Sequence, residues 1–169
     1  MNNNFKSEIM KTRYLFPNSY KLFGWIILII GMVLGIILSI NDFEYPNWSA
    51  NVFPLIGEKE GVLTSNVSMA WSDNNIADEL ASLMIIIGGI LVAFSKLKDE
   101  DEYSATIRTE SLIWATYVNY IILILSIVFV FDMPFFNVLI YNMFTILLFF
   151  ILRFHYLIFK TKKMIRYEE

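Results

Sequence analysis

The apolar positions of the chain fall into four long runs separated by polar segments of unequal length. The runs cover residues 22–40, 78–95, 111–131 and 135–159. As helices with a rise of 1.5 Å per residue, they have about the length needed to cross roughly 30 Å of hydrocarbon. The pattern therefore predicts an all-α membrane protein with four transmembrane helices.

The polar segments between the runs predict how the helices are connected. Residues 132–134 make a tight turn, so the last two helices are expected to be antiparallel neighbours. Residues 41–77 are too many for a turn, and the extended pieces 51–56 and 62–69 within them favour a small β-hairpin. Residues 96–110 contain neither Gly nor Pro, so the third helix is expected to begin before the membrane and protrude from it.

The basic residues are sorted to one predicted side of the membrane. Of the 13 Lys and Arg residues, 12 fall in residues 1–21, in residues 96–110 or in the C-terminal part of the chain. Residues 41–79 carry seven acids and one base. Because Lys and Arg are enriched in cytoplasmic segments, both termini, including the tail 160–169, are predicted to be cytoplasmic. The long segment between the first two runs is then extracytoplasmic.

The composition supports this class of protein and narrows its chemistry. The chain is 57% hydrophobic and 17% charged, whereas roughly a quarter of the residues are charged in soluble domains. It contains no Cys, which excludes disulfides, thiolate-held Fe–S clusters, c-type haem and thiol catalysis. No cofactor is expected.

Small residues on the first two helices indicate where these helices pack. Gly31 and Gly35 lie four residues apart on the first helix, and Gly88 and Gly89 lie on the second. Counting 1.5 Å per residue from the helix ends places both pairs near the middle of the membrane. Because small residues allow two backbones to approach closely, we expect these glycines to form the contact between the two helices.

Uncharged polar residues form a stripe on each of the last two helices. Thr116 and Asn119 lie on the third helix, and Asn142 and Thr145 lie on the fourth. The predicted depths of Asn119, Asn142 and Thr145 agree, at roughly 12–17 Å from the inner surface, so Asn119 is expected to hydrogen-bond to Asn142 or Thr145. Such a cluster either fixes the register of the two helices or lines a polar path in an oligomer.

Charged residues near the inner ends of the same helices suggest a second contact. Glu110 and Arg153 have the same predicted depth, so an ion pair between them would hold the inner mouth of the hairpin closed. The alternative is that Arg153 extends to the lipid headgroups. His155 is the only histidine, and as a lone interfacial side chain it is assigned no role.

Two charged segments, the basic tail and an acidic run, are candidates for binding lipid headgroups and metal ions. The tail carries four bases, Lys160, Lys162, Lys163 and Arg166. Each base near the membrane surface favours anionic lipid headgroups by about 1 kcal/mol. So short a run beside the membrane does not predict nucleic-acid binding. The acidic run 99–102 lacks the alternating ligands and the glycine of an EF-hand loop, so no metal site is expected.

Catalytic signatures are missing from the sequence. It contains no Walker motif, HExxH, GxSxG or glycine-rich dinucleotide fingerprint. No acid, Lys or Arg lies at the predicted hydrocarbon centre, which argues against an ion relay through buried charges. A lipid-modifying enzyme would have only Glu110, Arg153 and His155 at the interface. An enzyme is therefore not expected.

Two interpretations of the function remain. The preferred one is a non-enzymatic membrane protein that acts by association, as a sensor, a regulator or an accessory subunit. Its partners would be membrane lipids and either another protein or further copies of the chain. The alternative is a small oligomeric channel or transporter with a polar path at the last two helices.

Three stretches in the second half of the chain carry a resemblance. They are FSKLKDEDEY at residues 94–103, ESLIWATYVNYIILI at 110–124 and FFNVLIYNMFTILLFFILRFHYLIFK at 135–160. Together they resemble a group of small bacterial four-helix inner-membrane proteins. The resemblance implies a multi-pass protein of the bacterial cytoplasmic membrane, and no activity comes with it.

Overall fold

The computed structural model describes residues 14–40, 48–52, 72–98 and 100–168. These residues form four helices and two short strands. In chain order the elements are α1 Ser19–Ile40, β1 Ser49–Val52, β2 Ser72–Asn75, α2 Ala77–Ala93, α3 Glu102–Phe129 and α4 Met133–Glu168. The predicted all-α class is confirmed, with one helix for each apolar run.

Three of the four helices, α1, α3 and α4, are long and apolar enough to cross a membrane. Helix α2 has 17 residues, which corresponds to about 25 Å and is shorter than the roughly 30 Å of a bilayer core. The chain is therefore a helical protein with three candidate membrane spans, and α2 is a shorter apolar helix packed beside them.

The helix boundaries follow local chemistry rather than the ends of the apolar runs. Helix α3 begins at Glu102, well before its apolar part, because the Asp101 side chain accepts a hydrogen bond from the Ser104 N–H at 2.7 Å and caps its first turn. Helix α4 continues to Glu168, since no Gly or Pro interrupts it after residue 134. Between these helices the turn contains Asp132 with φ 60°, a left-handed conformation that Asp tolerates.

The two strands pair in antiparallel fashion between α1 and α2. Their register runs from Ser49 opposite Asn75 to Val52 opposite Ser72. Strand β1 overlaps the predicted extended piece 51–56 in two residues, whereas β2 lies beyond the predicted piece 62–69. That second piece lies outside the described residues.

One end of the helix bundle carries a cluster of cations, and we call it the basic end. There the extended Phe16 donates its N–H to the Phe94 carbonyl at 2.9 Å and accepts the Lys96 N–H at 2.9 Å. The residues before α1 are thus tied to the residues after α2. The opposite end carries β1 and β2, and we call it the sheet end.

The helices pack as two antiparallel pairs, α1 with α2 and α3 with α4, and α2 also contacts α4. The main core lies toward the basic end and includes Leu28, Val92, Ala115, Phe150 and Phe154. A smaller cluster of three residues, Leu38, Ala77 and Ala81, lies near the sheet end. Most of the described core residues therefore lie on the same side of the bundle as the cations.

Glycines let α1 and α2 approach closely. A Cβ atom on Gly31 would lie 2.8 Å from the Met84 Cβ, and one on Gly88 would lie 2.5 Å from the Leu28 backbone nitrogen. A Cβ on Gly35 would meet only the Ile85 Cδ1 at 3.6 Å. Gly89 faces Leu147 of α4 rather than α1. Of the four predicted packing glycines, Gly31 and Gly88 thus form the α1–α2 seam and Gly89 serves a different contact.

Candidate functional site

The main polar feature of the basic end is a buried ion pair between Arg108 and Glu100. The Arg108 Nη1 lies 2.6 Å from one Glu100 carboxylate oxygen, and the Nη2 lies 3.3 Å from the other. The arginine side chain is only 7% exposed and the glutamate side chain 19%. Two parallel N–H···O contacts of this kind fix the orientation of both side chains.

Arg108 also joins three parts of the fold. Its Nη2 donates to the Ser95 carbonyl at 3.4 Å, just after α2. Its guanidinium carbon lies 4.9 Å from the centre of the Phe154 ring on α4. Glu100 in turn accepts the Leu97 N–H at 2.7 Å. The pair therefore fixes the α2–α3 connection against α3 and α4. We call the pair of Arg108 and Glu100 the clamp.

Further cations surround this clamp. Lys21 of α1 lies close enough to Arg108 and to Lys162 of α4 to interact with both electrostatically, and Glu100 acts on it in the opposite sense. Three helices thus bring a cation to the same end of the bundle. Acids lie at this end as well, at residues 100, 101, 102 and 110, but the described bases at residues 21, 96, 98, 108, 153, 160, 162 and 163 outnumber them.

Several buried polar atoms near the clamp have no hydrogen-bond partner among the described residues. They are the Arg108 Nε, the Ser111 Oγ, the Arg153 Nε and the His155 Nε2. The other ring nitrogen of His155 lies 2.9 Å from the Ile151 carbonyl oxygen, and the ring packs edge-on against Trp25. His155 is therefore a partly buried side chain packed between helices.

The predicted ion pair between Glu110 and Arg153 is not formed by these two described residues. The Arg153 guanidinium carbon lies 4.6 Å from the centre of the Trp114 ring, while Glu110 is exposed. Trp114 stands one helical turn after Glu110 and covers Arg153 in its place. The ion pair of the basic end is instead Arg108 with Glu100.

The four predicted intramembrane polar residues are only partly brought together. Asn119 donates to the Asn142 side-chain oxygen at 3.4 Å, and Asn142 donates back at 3.2 Å. Thr116 and Thr145 instead donate to carbonyls of their own helices, at 2.9 and 2.8 Å. Only the two asparagines therefore link α3 to α4.

The basic tail continues the helix of α4. Lys160, Lys162 and Lys163 are exposed on its last turns, and the side chain of Arg166 lies outside the described part. The hydroxyls of Tyr103 and Thr161 lie 3.5 Å apart and bring the start of α3 beside this tail. The tail bases are thus held next to the clamp.

Sequence analysis missed the role of Arg108. The signal was present as periodicity, because the buried polar and small residues of α3 recur every three or four positions. They are Ser104, Arg108, Ser111, Ala115 and Asn119. This spacing marks one inward face, and a charged residue on such a face needs a partner.

Asp101 makes a first testable prediction. Replacing it with alanine is expected to lower the free energy of unfolding by about 1 kcal/mol, because the first turn of α3 loses its cap. Hydrogen bonds from the Ser104 hydroxyl and N–H lower the pKa of Asp101. The capping contribution is therefore complete above the usual pKa of about 3.9 and is lost as the pH falls through the lower folded value.

The measurement is chemical unfolding of the purified protein in nonionic detergent, followed by helicity from neutral pH down to about pH 2. Asp101→Asn is the matched control, since an asparagine caps a helix without titrating in this range. A steeper acid dependence in Asp101→Asn than in the wild type would contradict this account.

The fold and these contacts define a helical protein with three candidate membrane spans, whose described residues are joined by a buried ion pair and an amide pair. Comparison with protein-family models, curated proteins and solved structures finds no match for the chain. Its function is therefore inferred from the geometry of these contacts.

Proposed function

We propose that the chain is a non-enzymatic integral membrane protein that acts by association, as a sensor, a regulator or an accessory subunit. Its location is the bacterial cytoplasmic membrane, which it crosses four times with both termini on the cytoplasmic side. Its partners are membrane lipids and a protein, either foreign or a further copy of the chain.

The distribution of charge supports this orientation. Lys21, Arg108 and Lys162 gather at the basic end, where Phe16 also pairs with the residues after α2. An end rich in Lys and Arg is expected to face the cytoplasm. Helix α2 is shorter than the bilayer core, but modest local thinning and flanking polar residues accommodate such a mismatch. A fourth span is therefore compatible with its length.

The pairing of Asn119 with Asn142 is the observation that carries the proposal. In a channel or transporter, polar residues in the middle of the membrane face water. In a packing seam they face each other. Asn119 is only 5% exposed, and each amide both donates to and accepts from the other. This geometry favours a seam that holds α3 and α4 in register over a polar path.

One face of α3 is suited to association. Tyr117, Tyr120, Ile121 and Ile124 recur at helical spacing, and each is more than half exposed. Within the described part of the chain, no hydrogen bond to either tyrosine hydroxyl is found. A hydroxyl at membrane depth is more stable with a partner than in hydrocarbon. A neighbouring helix that offers acceptors would cover this exposed face and pair the two tyrosine hydroxyls.

Site-specific photo-crosslinking tests the proposal. A photoreactive amino acid is placed at Tyr117 or Ile124 in native membranes, and at the buried Ala115 as the matched control. We expect a crosslinked product of one defined mass from the two exposed positions and none from Ala115. Crosslinks that join only copies of the chain, together with ion flux by the purified chain in liposomes, would favour the oligomeric channel instead.

The amide pair itself makes a second prediction. Asn119→Leu is expected to lower the free energy of unfolding by about 1–2 kcal/mol, because it leaves the Asn142 amide without a partner. The double replacement Asn119→Leu/Asn142→Leu should recover part of this loss, since no polar group remains unpaired. Unfolding in detergent by added dodecyl sulfate, followed by circular dichroism, measures both variants.

Thr116→Val is the matched control for the amide pair, because the Thr116 hydroxyl bonds only to its own helix. Its effect should stay within about 0.5 kcal/mol. Unchanged stability of Asn119→Leu combined with lost flux in liposomes would contradict a packing role.

A further inference from the structure

A cavity of about 520 Å³ lies between α1, α2 and α4 on the sheet-end side of the bundle. Its volume falls within the roughly 300–1,000 Å³ typical of small-molecule sites. Gly35 on its wall has no side chain to fill the space, and an added Cβ there would only reach ordinary contact. The cavity is separate from the clamp and from the amide pair.

Polar residues line the part of the cavity nearest the sheet end, which we call its mouth. Asp78 and Ser82 lie in the first two turns of α2, and Asn137 and Tyr141 lie near the start of α4. Both pairs are four residues apart, so each pair lies on one helix face. The hydroxyl of Ser39, at the end of α1, lies 2.7 Å from that of Tyr141 and links α1 to α4 at the mouth.

Apolar residues line the part farther from the sheet end. Met32 of α1, Ile85 of α2, and Phe144 and Leu148 of α4 lie three to seven residues deeper than the nearest mouth residues of their own helices. Apolar Leu38, Ile40 and Ile140 also line the mouth, and Thr145 lies deeper with its hydroxyl bonded to the Tyr141 carbonyl. The polar groups that remain available to a ligand are therefore concentrated toward the sheet end. An amphiphile with its head toward the sheet end matches this gradient.

The charge of the mouth indicates the class of head. Among the described residues that line the cavity, Asp78 is the one charged residue, and none of them is basic. Asp78 is exposed, so its carboxylate is accessible to a ligand. A cationic head would gain an ion pair with Asp78 and hydrogen bonds to the Asn137 side-chain oxygen. An anionic head could accept from the Asn137 amide, but the Asp78 carboxylate would repel it.

We propose that this cavity binds a lipid amphiphile whose head carries an ammonium group, with the head beside Asp78 and the chain along Phe144. The site goes beyond the association proposed above, which uses the opposite helix α3. Failure of one proposal would therefore leave the other standing.

Photoaffinity labelling tests the site. The full chain is placed in dodecyl maltoside micelles, whose uncharged heads carry no ammonium group, with a long-chain amine that carries a diazirine near the end of its chain. We expect labelled peptides to come from α1, α2 and α4 around Ile85 and Phe144. Competition by unlabelled amine, alcohol and carboxylate of the same chain length should follow that order, with the amine favoured over the alcohol by about fivefold.

Two variants separate the head contact from the cavity itself. Asp78→Asn should remove the fivefold preference for the amine and leave competition by the alcohol unchanged. Gly35→Leu should reduce labelling by both compounds, because the new side chain occupies the cavity. Neither residue belongs to the clamp or the amide pair, and circular dichroism checks that both variants fold.

Each outcome bears on the proposal. Equal competition by amine and alcohol in the wild type would overturn the assignment of a cationic head. Labelling confined to α3, or labelling of the cavity peptides that Gly35→Leu leaves unchanged, would overturn the cavity as the site. These two readouts need only the wild type and one folded variant.

Discussion

Replacing Arg108 with methionine is expected to lower the free energy of unfolding by about 3 kcal/mol. The change leaves the Glu100 carboxylate largely buried without its charged partner, and breaking a buried pair from one side costs about 3–5 kcal/mol. The lower end of this range applies because Glu100 retains 19% exposure. Loss of the guanidinium also removes its contacts with the Ser95 carbonyl and the Phe154 ring.

The matched control for Arg108 is Arg153→Met. Arg153 is a partly buried arginine whose guanidinium packs against the Trp114 ring. A cation–π contact of this kind contributes about 0.5–1 kcal/mol, so Arg153→Met should have a much smaller effect. Unfolding in nonionic detergent, followed by helicity during titration with dodecyl sulfate, measures both variants under the same conditions.

The double variant Glu100→Gln/Arg108→Met isolates the ion pair. If the pair is responsible, the double variant should be more stable than Arg108→Met alone, because no buried charge is left unpaired. Strict additivity of the two single changes would contradict the clamp and assign the effect of Arg108 to packing against Phe154.

The amide pair was predictable because it depends on two quantities that a sequence contains. Depth follows from counting residues along each helix, and facing follows from the helical period. Asn119 and Asn142 satisfy both criteria. Thr116 and Thr145 satisfy them nearly as well, but a threonine in a helix bonds readily to the carbonyl one turn before it. The sequence analysis therefore located the polar contact between α3 and α4, but it assigned four residues to this contact where two form it.

The clamp was not predictable in the same way. Glu100 lies outside every helix, and its side chain reaches Arg108 only because the connection after α2 turns back and holds it through the Leu97 N–H. The path of a connection is not periodic and cannot be read from spacing. Glu110 and Arg153 agree in depth, but depth does not specify the direction of a side chain around a helix.

The glycines also show that residue spacing does not specify which neighbouring helix a residue faces. Gly88 and Gly89 are adjacent, so they point about 100° apart on α2 and cannot both face α1. Their spacing indicated that α2 is closely packed but not which residue meets which helix. The structure assigns Gly88 to α1 and Gly89 to α4, because α2 lies between two neighbours.

The close contact between Gly88 and α1 predicts a large loss of stability when this glycine is replaced. Replacing Gly88 with alanine is expected to lower the free energy of unfolding by about 2–3 kcal/mol, the upper part of the range for overpacking. The new Cβ would lie 2.5 Å from the Leu28 nitrogen and 2.8 Å from the Leu28 Cα. Both are backbone atoms, so no side chain can rotate away and the two helices must separate.

Gly35→Ala is the matched control for Gly88→Ala, because both changes add one methyl group to a glycine in an apolar helix. At Gly35 the nearest atom would be the Ile85 Cδ1 at 3.6 Å, an ordinary contact. Alanine is favoured over glycine within a helix by about 1 kcal/mol, so Gly35→Ala should be neutral or stabilising. The difference between the two variants in the same detergent titration measures the closeness of α1 and α2, independently of helix propensity. Equal effects would mean that α1 and α2 are not in backbone contact at Gly88, and the register of Gly31 and Gly88 would then have to be revised.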